Sequence, residues 1–220
     1  MKPARTLALA TSLGAVALLT GCAASTPVPV TPAAPLTLTM PAQLDGKATL
    51  LSPLDADYAR ADPTGAVKPA GEGNLEAALV VKLTADLPVW RLWSGPDKKD
   101  ARGNTNRIGQ WWSYDAPHGS RRDYRAAYEI CTPWNDLYWV ARCTLKSGAV
   151  VAVGPGNSVS AQTCGDPAGQ EAYPANERDW QLYVAKAWTR LGADKELDCP
   201  DPSQDYLADP TDISRPAATN

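Results

Sequence analysis

The 220-residue sequence predicts one α+β domain with a single, mostly antiparallel β-sheet, one or two helices and two disulfides. From residue 75 onward, short apolar segments rich in β-branched and aromatic residues alternate with turn-forming residues, which is typical of antiparallel strands. All eight tryptophans lie between Trp90 and Trp188 in a chain without phenylalanine, and four of the five cysteines lie between Cys131 and Cys199. We therefore expect one globular, Trp-rich domain at residues 75–199.

Six apolar segments within this region are predicted to form strands, the last of them a strand or a helix: residues 75–83, 88–93, 110–114, 137–145, 149–153 and 180–187. Ser120 can cap a helix that runs from Arg121 to Ile130. Lys146-Ser147-Gly148 resembles the turn of a hairpin between the fourth and fifth strands.

The segments outside the predicted domain have few signals of regular structure. Residues 22–43 are rich in proline and uncharged, which favours a semi-extended linker. Residues 44–74 hold short apolar pieces broken by turns such as Asp62-Pro63-Thr64-Gly65, and we expect a loose approach segment there. Residues 200–220 contain repeated Asp and Pro, and a disordered tail is predicted.

The first 21 residues have the features of an export signal. Lys2 and Arg5 precede an uncharged apolar run at residues 7–19, which is shorter than the roughly 20 residues that a membrane-spanning helix needs. The run ends in Leu19-Thr20-Gly21-Cys22, and this tetrapeptide resembles the lipobox of bacterial lipoproteins. An ordinary secretory signal followed by a coincidental cysteine is the alternative.

The resemblance to a lipobox implies a lipid anchor. It implies cleavage of the signal peptide before Cys22, attachment of acyl chains such as palmitate to Cys22, and contact with membrane lipid through that residue. Several acyl chains together hold a protein firmly on a membrane. Ala23, rather than Asp, follows the cysteine, which implies the outer membrane of a two-membrane bacterium, facing the periplasm or the outside.

The four cysteines outside the lipobox are expected to form two disulfides, because export places them in an oxidising compartment. Cys131, Cys143, Cys164 and Cys199 allow three pairings, of which we provisionally expect Cys131–Cys143 and Cys164–Cys199. A zinc site is disfavoured, and no metal is expected, because these cysteines are at least twelve positions apart and His118 is the only histidine.

Composition and the remaining motifs exclude several functions. A formal net charge of −3 without a basic run argues against binding to nucleic acid. His118 in a Pro-His-Gly turn is a weak candidate for the base of a Ser-His-Asp site. Gly154-Pro155-Gly156 resembles a phosphate-binding loop only superficially, because Pro155 has no N–H to donate.

Strand alternation predicts a polar cleft with aromatic walls. Residues i and i+2 share one face of a strand, which groups Arg91 with Val89 and Trp93, Ser113 with Trp111, and Gln181 with Asp179 and Tyr183. If these strands are neighbours, Arg91 lies at the base of a cleft and can bind a phosphate or carboxylate. The alternative is the half-exposed outer face of an antiparallel sheet.

Val89-Trp90-Arg91, then Trp112-Ser113, then a late strand with a polar side chain resemble the Arg-Ser-Glu arrangement of ADP-ribosyltransferases over about residues 87–185. The resemblance implies that Arg91 holds a phosphate and ribose of NAD, and that Ser113 supports the nicotinamide-side strand. Gln181 stands where the family has its catalytic glutamate, and Asp179 on the same face is the available carboxylate. This departure implies NAD hydrolysis or an inactive relative rather than transfer to a protein.

Three functions follow from these features. We expect first a lipid-anchored envelope lipoprotein whose disulfide-bonded domain binds an unidentified partner such as a protein, since tryptophans are enriched at interfaces. This interpretation involves no cofactor. The alternative is an NAD-consuming enzyme, and a passive structural lipoprotein ranks third.

Overall fold

A computed structural model describes residues 37–166 and 168–218 of the chain. The export signal, Cys22 and residues 22–36 of the predicted linker lie outside the described residues. Among the described residues, none of the helices combines the length and the apolar character needed to cross a bilayer.

The described residues form an α+β fold of mostly antiparallel strands, which confirms the predicted fold class. There are ten strands: β1 Ala48–Leu51, β2 Leu79–Leu83, β3 Leu87–Trp93, β4 Trp111–Trp112, β5 Trp139–Leu145, β6 Val150–Gly156, β7 Asn176–Tyr183, β8 Leu197–Asp198, β9 Tyr206–Asp209 and β10 Asp212–Pro216. Three short α-helices accompany them: α1 Pro63–Ala66, α2 Arg121–Ala127 and α3 Ala161–Cys164. Four single-turn 3-10 helices complete the described elements: Ala42–Leu44, Tyr58–Ala61, Ala187–Thr189 and Pro202–Gln204.

The strands form two sheets rather than one. The first has the order β1-β2-β6-β7-β4, and the second has the order β10-β9-β5-β3, with β8 also paired to β5. All of these strand pairs are antiparallel. The sheets meet where Trp90 of β3 and Ser113, just after β4, exchange two backbone hydrogen bonds of 2.8 and 2.9 Å.

The largest buried cluster draws its side chains from both sheets. It includes Val81 and Leu83 of β2, Val89 of β3, Leu145 of β5 and Leu182 of β7. Strands that are covered by neighbours need apolar, β-branched residues, and β6 accordingly begins Val-Val-Ala-Val and is buried along its whole length. This shared core fixes one sheet against the other and thereby positions the cavity described below.

Helix α2 is capped as predicted, but it is shorter. The Ser120 hydroxyl accepts a hydrogen bond from the backbone N–H of Asp123, as an N-cap does. The helix ends at Ala127 instead of Ile130, because Glu129 has a φ of 47° and so lies in the left-handed region. That conformation is unusual for a residue with a side chain, and it stops the helix.

The predicted hairpin is wrong. Lys146-Ser147-Gly148 does connect β5 to β6, but β5 pairs with β3, β8 and β9 while β6 pairs with β2 and β7. The turn therefore passes the chain from one sheet to the other.

The segments on either side of residues 75–199 belong to the same fold, contrary to the predicted boundaries. Strand β1, from the expected approach segment, pairs with β2 over four residues, and Leu44 and Ala61 are fully buried. Strand β9, from the expected disordered tail, pairs with β5, and Ile213 of β10 is fully buried.

A buried ion pair fixes the C-terminal segment to the polar loop that precedes β4. The Arg107 guanidinium donates two hydrogen bonds to the Asp205 carboxylate, at 2.6 and 2.8 Å, and a third of 2.9 Å to the carbonyl of Pro200. Arg107 and Asp205 are 7% and 8% exposed. A composition rich in Asp and Pro did not reveal this partner, which lies 98 positions away in the sequence.

Two disulfides are present, as predicted, but the expected pairing is wrong. The bonds join Cys131 to Cys164 and Cys143 to Cys199. Cys143 lies in β5 and borders the main core, whereas Cys131 and Cys164 form a smaller buried cluster with Val159. The pairing thus follows the two clusters and not the proximity of cysteines in the sequence.

Candidate functional site

A cavity of about 400 Å³ opens beside β3, β4, β7 and the segment that follows α2. Its volume is in the range of small-molecule binding pockets. Its walls combine aromatic with charged or polar side chains, among them Trp111, Tyr128, Trp134, Arg91, Glu129, Gln181 and Glu72. We call it the Arg91–Glu129 cavity. A smaller cavity of about 40 Å³ shares Arg91, Trp111 and Gln181 with it.

Three residues of the predicted cleft, Arg91, Trp111 and Gln181, line this cavity together. Ser113 does not line it. Ser113 is 1% exposed, and its hydroxyl lies 2.8 Å from the hydroxyl of Tyr128, which does line the cavity. Ser113 therefore supports one wall from behind.

The other predicted ligand-binding residues lie elsewhere. Asp179 accepts a hydrogen bond of 2.7 Å from the side chain of Asn176 and borders a separate cavity of about 220 Å³ that also includes His118. The Tyr183 ring packs against Trp111, with 4.8 Å between ring centroids, and so supports the cavity wall from its far side.

The polar loop before β4 holds the guanidinium of Arg91. Its Nε donates to the carbonyl of Asn106 at 3.1 Å, and its Nη1 donates to the carbonyl of Trp111 at 2.8 Å. A Cβ at Gly109 would lie 2.4 Å from Nη2, so the loop packs directly on the guanidinium. Burial lowers the pKa of Arg91 to about 10, and the group stays positive at neutral pH. Nη2 has no hydrogen-bond partner within the part of the chain that the structure describes.

Glu129 is the most unusual residue of the cavity. It is 3% exposed, and its Oε2 accepts a hydrogen bond of 3.1 Å from Nε2 of Gln181. Its Oε1 is buried and has no partner among residues 37–166 and 168–218. Burial raises the pKa of Glu129 to about 9, and the negative charge of Asp179 adds to the rise. At neutral pH the carboxyl is therefore protonated.

Neighbouring residues hold Glu129 in this position. A Cβ at Gly156 would lie 1.9 Å from Oε2, so only glycine lets the carboxyl approach strand β6 so closely. On the other side, Arg125 donates hydrogen bonds to the carbonyls of Ile130 and Asn135, at 2.9 and 2.8 Å. The disulfide of Cys131 lies two residues further on. The backbone around Glu129 is thus fixed from several directions, as a strained residue at a functional site requires.

Sequence patterns did not reveal Glu129, Trp134 or Glu72 as parts of the site. An acidic residue between Tyr128 and Ile130, immediately before a cystine, was the available signal for Glu129. This signal does not predict the positive φ of Glu129, which turns the side chain inward. Trp134 is 46% exposed, and it follows the disulfide that places it at the cavity.

No group of His, Cys, Asp and Glu side chains within the described residues has the arrangement of a metal site. Comparison of the chain with protein-family models, curated proteins and solved structures returned no match. The features that bear on function are therefore those of the cavity: a fixed arginine, a buried carboxyl with one unpartnered oxygen, and aromatic walls.

Proposed function

We propose that this domain binds a small polar molecule in the Arg91–Glu129 cavity, and that it does so as the binding domain of a lipid-anchored envelope protein. The unpartnered Oε1 of Glu129 carries the first part of the proposal. Burying a polar group without a hydrogen bond costs about 1–3 kcal/mol, and the positive φ of Glu129 adds a cost of about 1–3 kcal/mol. The described fold makes no use of this oxygen, whereas a ligand that forms a hydrogen bond with it offsets the cost.

The walls of the cavity support the same proposal. Trp111, Tyr128 and Trp134 provide apolar surface for a ligand, and Arg91 and Glu129 provide polar groups with defined positions. Pockets for small molecules combine these two features. Both side chains are held in place before a ligand arrives, which lowers the entropic cost of binding.

A ligand screen with matched variants tests the proposal. Purified mature protein is titrated with defined panels of amino acids, sugars, organic acids and nucleotides at millimolar concentration, and the tryptophan fluorescence and the thermal midpoint are followed. We expect at least one class of compound to change both the tryptophan fluorescence and the thermal midpoint. Arg91→Ala or Glu129→Ala should weaken the binding of that class at least tenfold. Arg142→Ala is the control, because Arg142 is exposed on β5 outside the cavity. The proposal is wrong if no class binds, or if cavity variants and control respond alike.

Lipid anchoring is the second part of the proposal. It is supported by the resemblance of Leu19-Thr20-Gly21-Cys22 to a lipobox, and the two disulfides are compatible with a location outside the cytoplasm. Cys22→Ala should release the protein from the membrane or block processing of the signal. Membrane fractionation together with intact mass is the measurement, and a variant that is processed and anchored like the parent contradicts a lipobox.

NAD consumption is retained as the alternative because of one contact. Gln181, which departs from the ADP-ribosyltransferase pattern, donates to Glu129 at 3.1 Å, so a carboxyl is available beside it in the cavity that Arg91 lines. A charge-assisted arginine hydrogen bond contributes about 1.5–3 kcal/mol, so Arg91→Ala should weaken NAD binding about ten- to a hundredfold. Isothermal titration with NAD is the test. If millimolar NAD produces no heat of binding and does not quench the tryptophan fluorescence, this alternative is discarded.

A further inference from the structure

We infer that the ligand is a small zwitterion, whose ammonium group binds at Glu129 and whose carboxylate or phosphate binds at Arg91. The inference rests on the proposed function, namely that the Arg91–Glu129 cavity binds a small polar molecule. It adds the chemical class of that molecule and the orientation in which it binds.

The Glu129 end of the cavity suits a cation. Oε1 of Glu129 is buried without a partner. Once the carboxyl ionises, it can accept a hydrogen bond from an ammonium group, which is a donor of the right charge. The aromatic rings of Trp111, Tyr128 and Trp134 line the same cavity, and aromatic faces attract cations. Glu72 adds a further carboxylate at the cavity wall.

The Arg91 end suits an anion. Two guanidinium nitrogens are held by backbone carbonyls, so the guanidinium is a positive charge fixed at the cavity wall. Burial and the negative charge of Asp179 raise the pKa of Glu129, whereas the hydrogen bond from Gln181 lowers it. A ligand with two opposite charges can satisfy both residues, because its ammonium group stabilises the ionised form of Glu129 while its acidic group pairs with Arg91.

Some neutral polar groups of the lining are already engaged, which leaves fewer partners for an uncharged sugar. Nδ2 of Asn135 donates to the carbonyl of Leu92 at 2.8 Å, and Oδ1 accepts from the N–H of Leu137 at 3.1 Å. Nδ2 of Asn74 donates to the carbonyl of Gly65 at 3.3 Å. Sugar hydroxyls need several free amides or carboxylates in defined directions, and these engaged amide groups do not provide them.

Binding of an ammonium group must displace a proton from Glu129. The neighbouring charged and titratable groups are Asp179 from β7, Tyr128 from the same segment, Glu72 at the cavity wall and Arg91 from β3. Because the pKa of Glu129 is about 9 without ligand, the free protein holds this proton at pH 7. The ammonium group stabilises the ionised carboxylate, and the proton leaves to the buffer. We therefore expect release of about one proton per ligand, and an affinity that rises about tenfold from pH 7 to pH 8.

A ladder of ω-amino acids tests the inference on the purified full chain. Glycine, β-alanine, 4-aminobutanoate and 6-aminohexanoate place an ammonium group and a carboxylate at increasing separations. Butylammonium, butyrate and N-acetylglucosamine supply the cation alone, the anion alone and a neutral sugar. Isothermal titration in two buffers of different ionisation enthalpy gives both the affinity and the number of protons released.

We expect one length of amino acid to bind at least tenfold more tightly than butylammonium or butyrate, with proton release near one. Glu129→Gln should abolish the proton release and weaken the binding of that amino acid at least tenfold. Arg91→Gln should weaken its binding by a similar factor, while the proton release remains. Arg142→Gln should change neither the affinity nor the proton release.

The other outcomes overturn the inference in distinguishable ways. If N-acetylglucosamine or another neutral compound binds more tightly than every amino acid and releases no proton, the ligand is not a zwitterion, while the proposed binding function stands. If butylammonium binds as tightly as the best amino acid, Arg91 does not bind an acidic group. If neither the ladder nor the broader panels bind, the inference and the proposed function fail together.

Discussion

Replacing Glu129 by glutamine should change how the stability of the domain depends on pH. The pKa of Glu129 is about 9 in the folded protein, against 4.5 for an ordinary glutamate side chain. The folded state therefore holds a proton between these values that the unfolded chain has lost. The stabilisation from this proton is fully present below about pH 4.5, and it falls as pH rises until the folded state also ionises near pH 9.

The size of the effect follows from the interval between the two pKa values. Between pH 6 and pH 8 the unfolded chain is ionised and the folded protein is protonated at Glu129. Each pH unit then lowers the free energy of unfolding by about 1.36 kcal/mol, which gives up to about 2.7 kcal/mol over two units. Glutamine has the same shape and does not titrate. Glu129→Gln should lack this loss, while other titrating groups contribute equally to both proteins.

Urea unfolding at pH 6, 7 and 8, with the disulfides intact, measures the effect. The quantity of interest is the difference in the free energy of unfolding between wild type and Glu129→Gln at each pH. We expect this difference to shift in favour of the variant by about 2–2.7 kcal/mol from pH 6 to pH 8. Parallel pH profiles, within about 0.5 kcal/mol, would show that Glu129 is ionised in the folded protein, and the account of its burial would be wrong.

Three further predictions concern the scaffold. Gly156→Ala should destabilise the domain by about 1–3 kcal/mol in urea unfolding, because its Cβ would overlap Oε2 of Glu129, and adding Glu129→Ala should recover most of that loss. Arg107→Met should lower the free energy of unfolding by about 3–5 kcal/mol, because it leaves the Asp205 carboxylate buried and unpaired. The double variant with Asp205→Leu should have a free energy of unfolding close to that of the wild type. Equal losses in the single and the double variant would contradict the buried ion pair. Peptide mapping of the unreduced mature protein should recover both disulfides in the pairing described above and no free thiol, and a mixed pairing would contradict the two separate buried clusters.

Sequence patterns were sufficient to predict those elements whose structure depends on residues close to one another in the sequence. The β-branched centres of β2 and β6 and the Ser120 cap are local signals, and the structure has strands and a helix there. Alternation along β3, β4 and β7 also selected Arg91, Trp111 and Gln181, which line one cavity. Alternation alone did not place Ser113, because its position depends on its pairing with Trp90 and on contact with Tyr128.

Features that depend on partners distant in the sequence were missed. The division into two sheets, the cystine pairing and strand β9 each join segments that are far apart along the chain. Glu129 was missed for a related reason. Its side chain points inward because the backbone adopts a positive φ, and because Gly156 on another strand leaves room for the carboxyl.

The late position of β9 in the sequence has a consequence for how the chain matures. Strand β9 pairs with Trp139 and Val140 of β5, and Ile213 of β10 fills the small apolar cluster behind them. A chain that emerges from a ribosome or an export channel N-terminus first exposes β5 well before residues 206–213 have appeared. Until then β5 keeps an open edge that can pair with other chains. The order of the strands thus postpones closure of the second sheet until residues 206–213 have emerged, which makes protection of that edge a condition for correct folding.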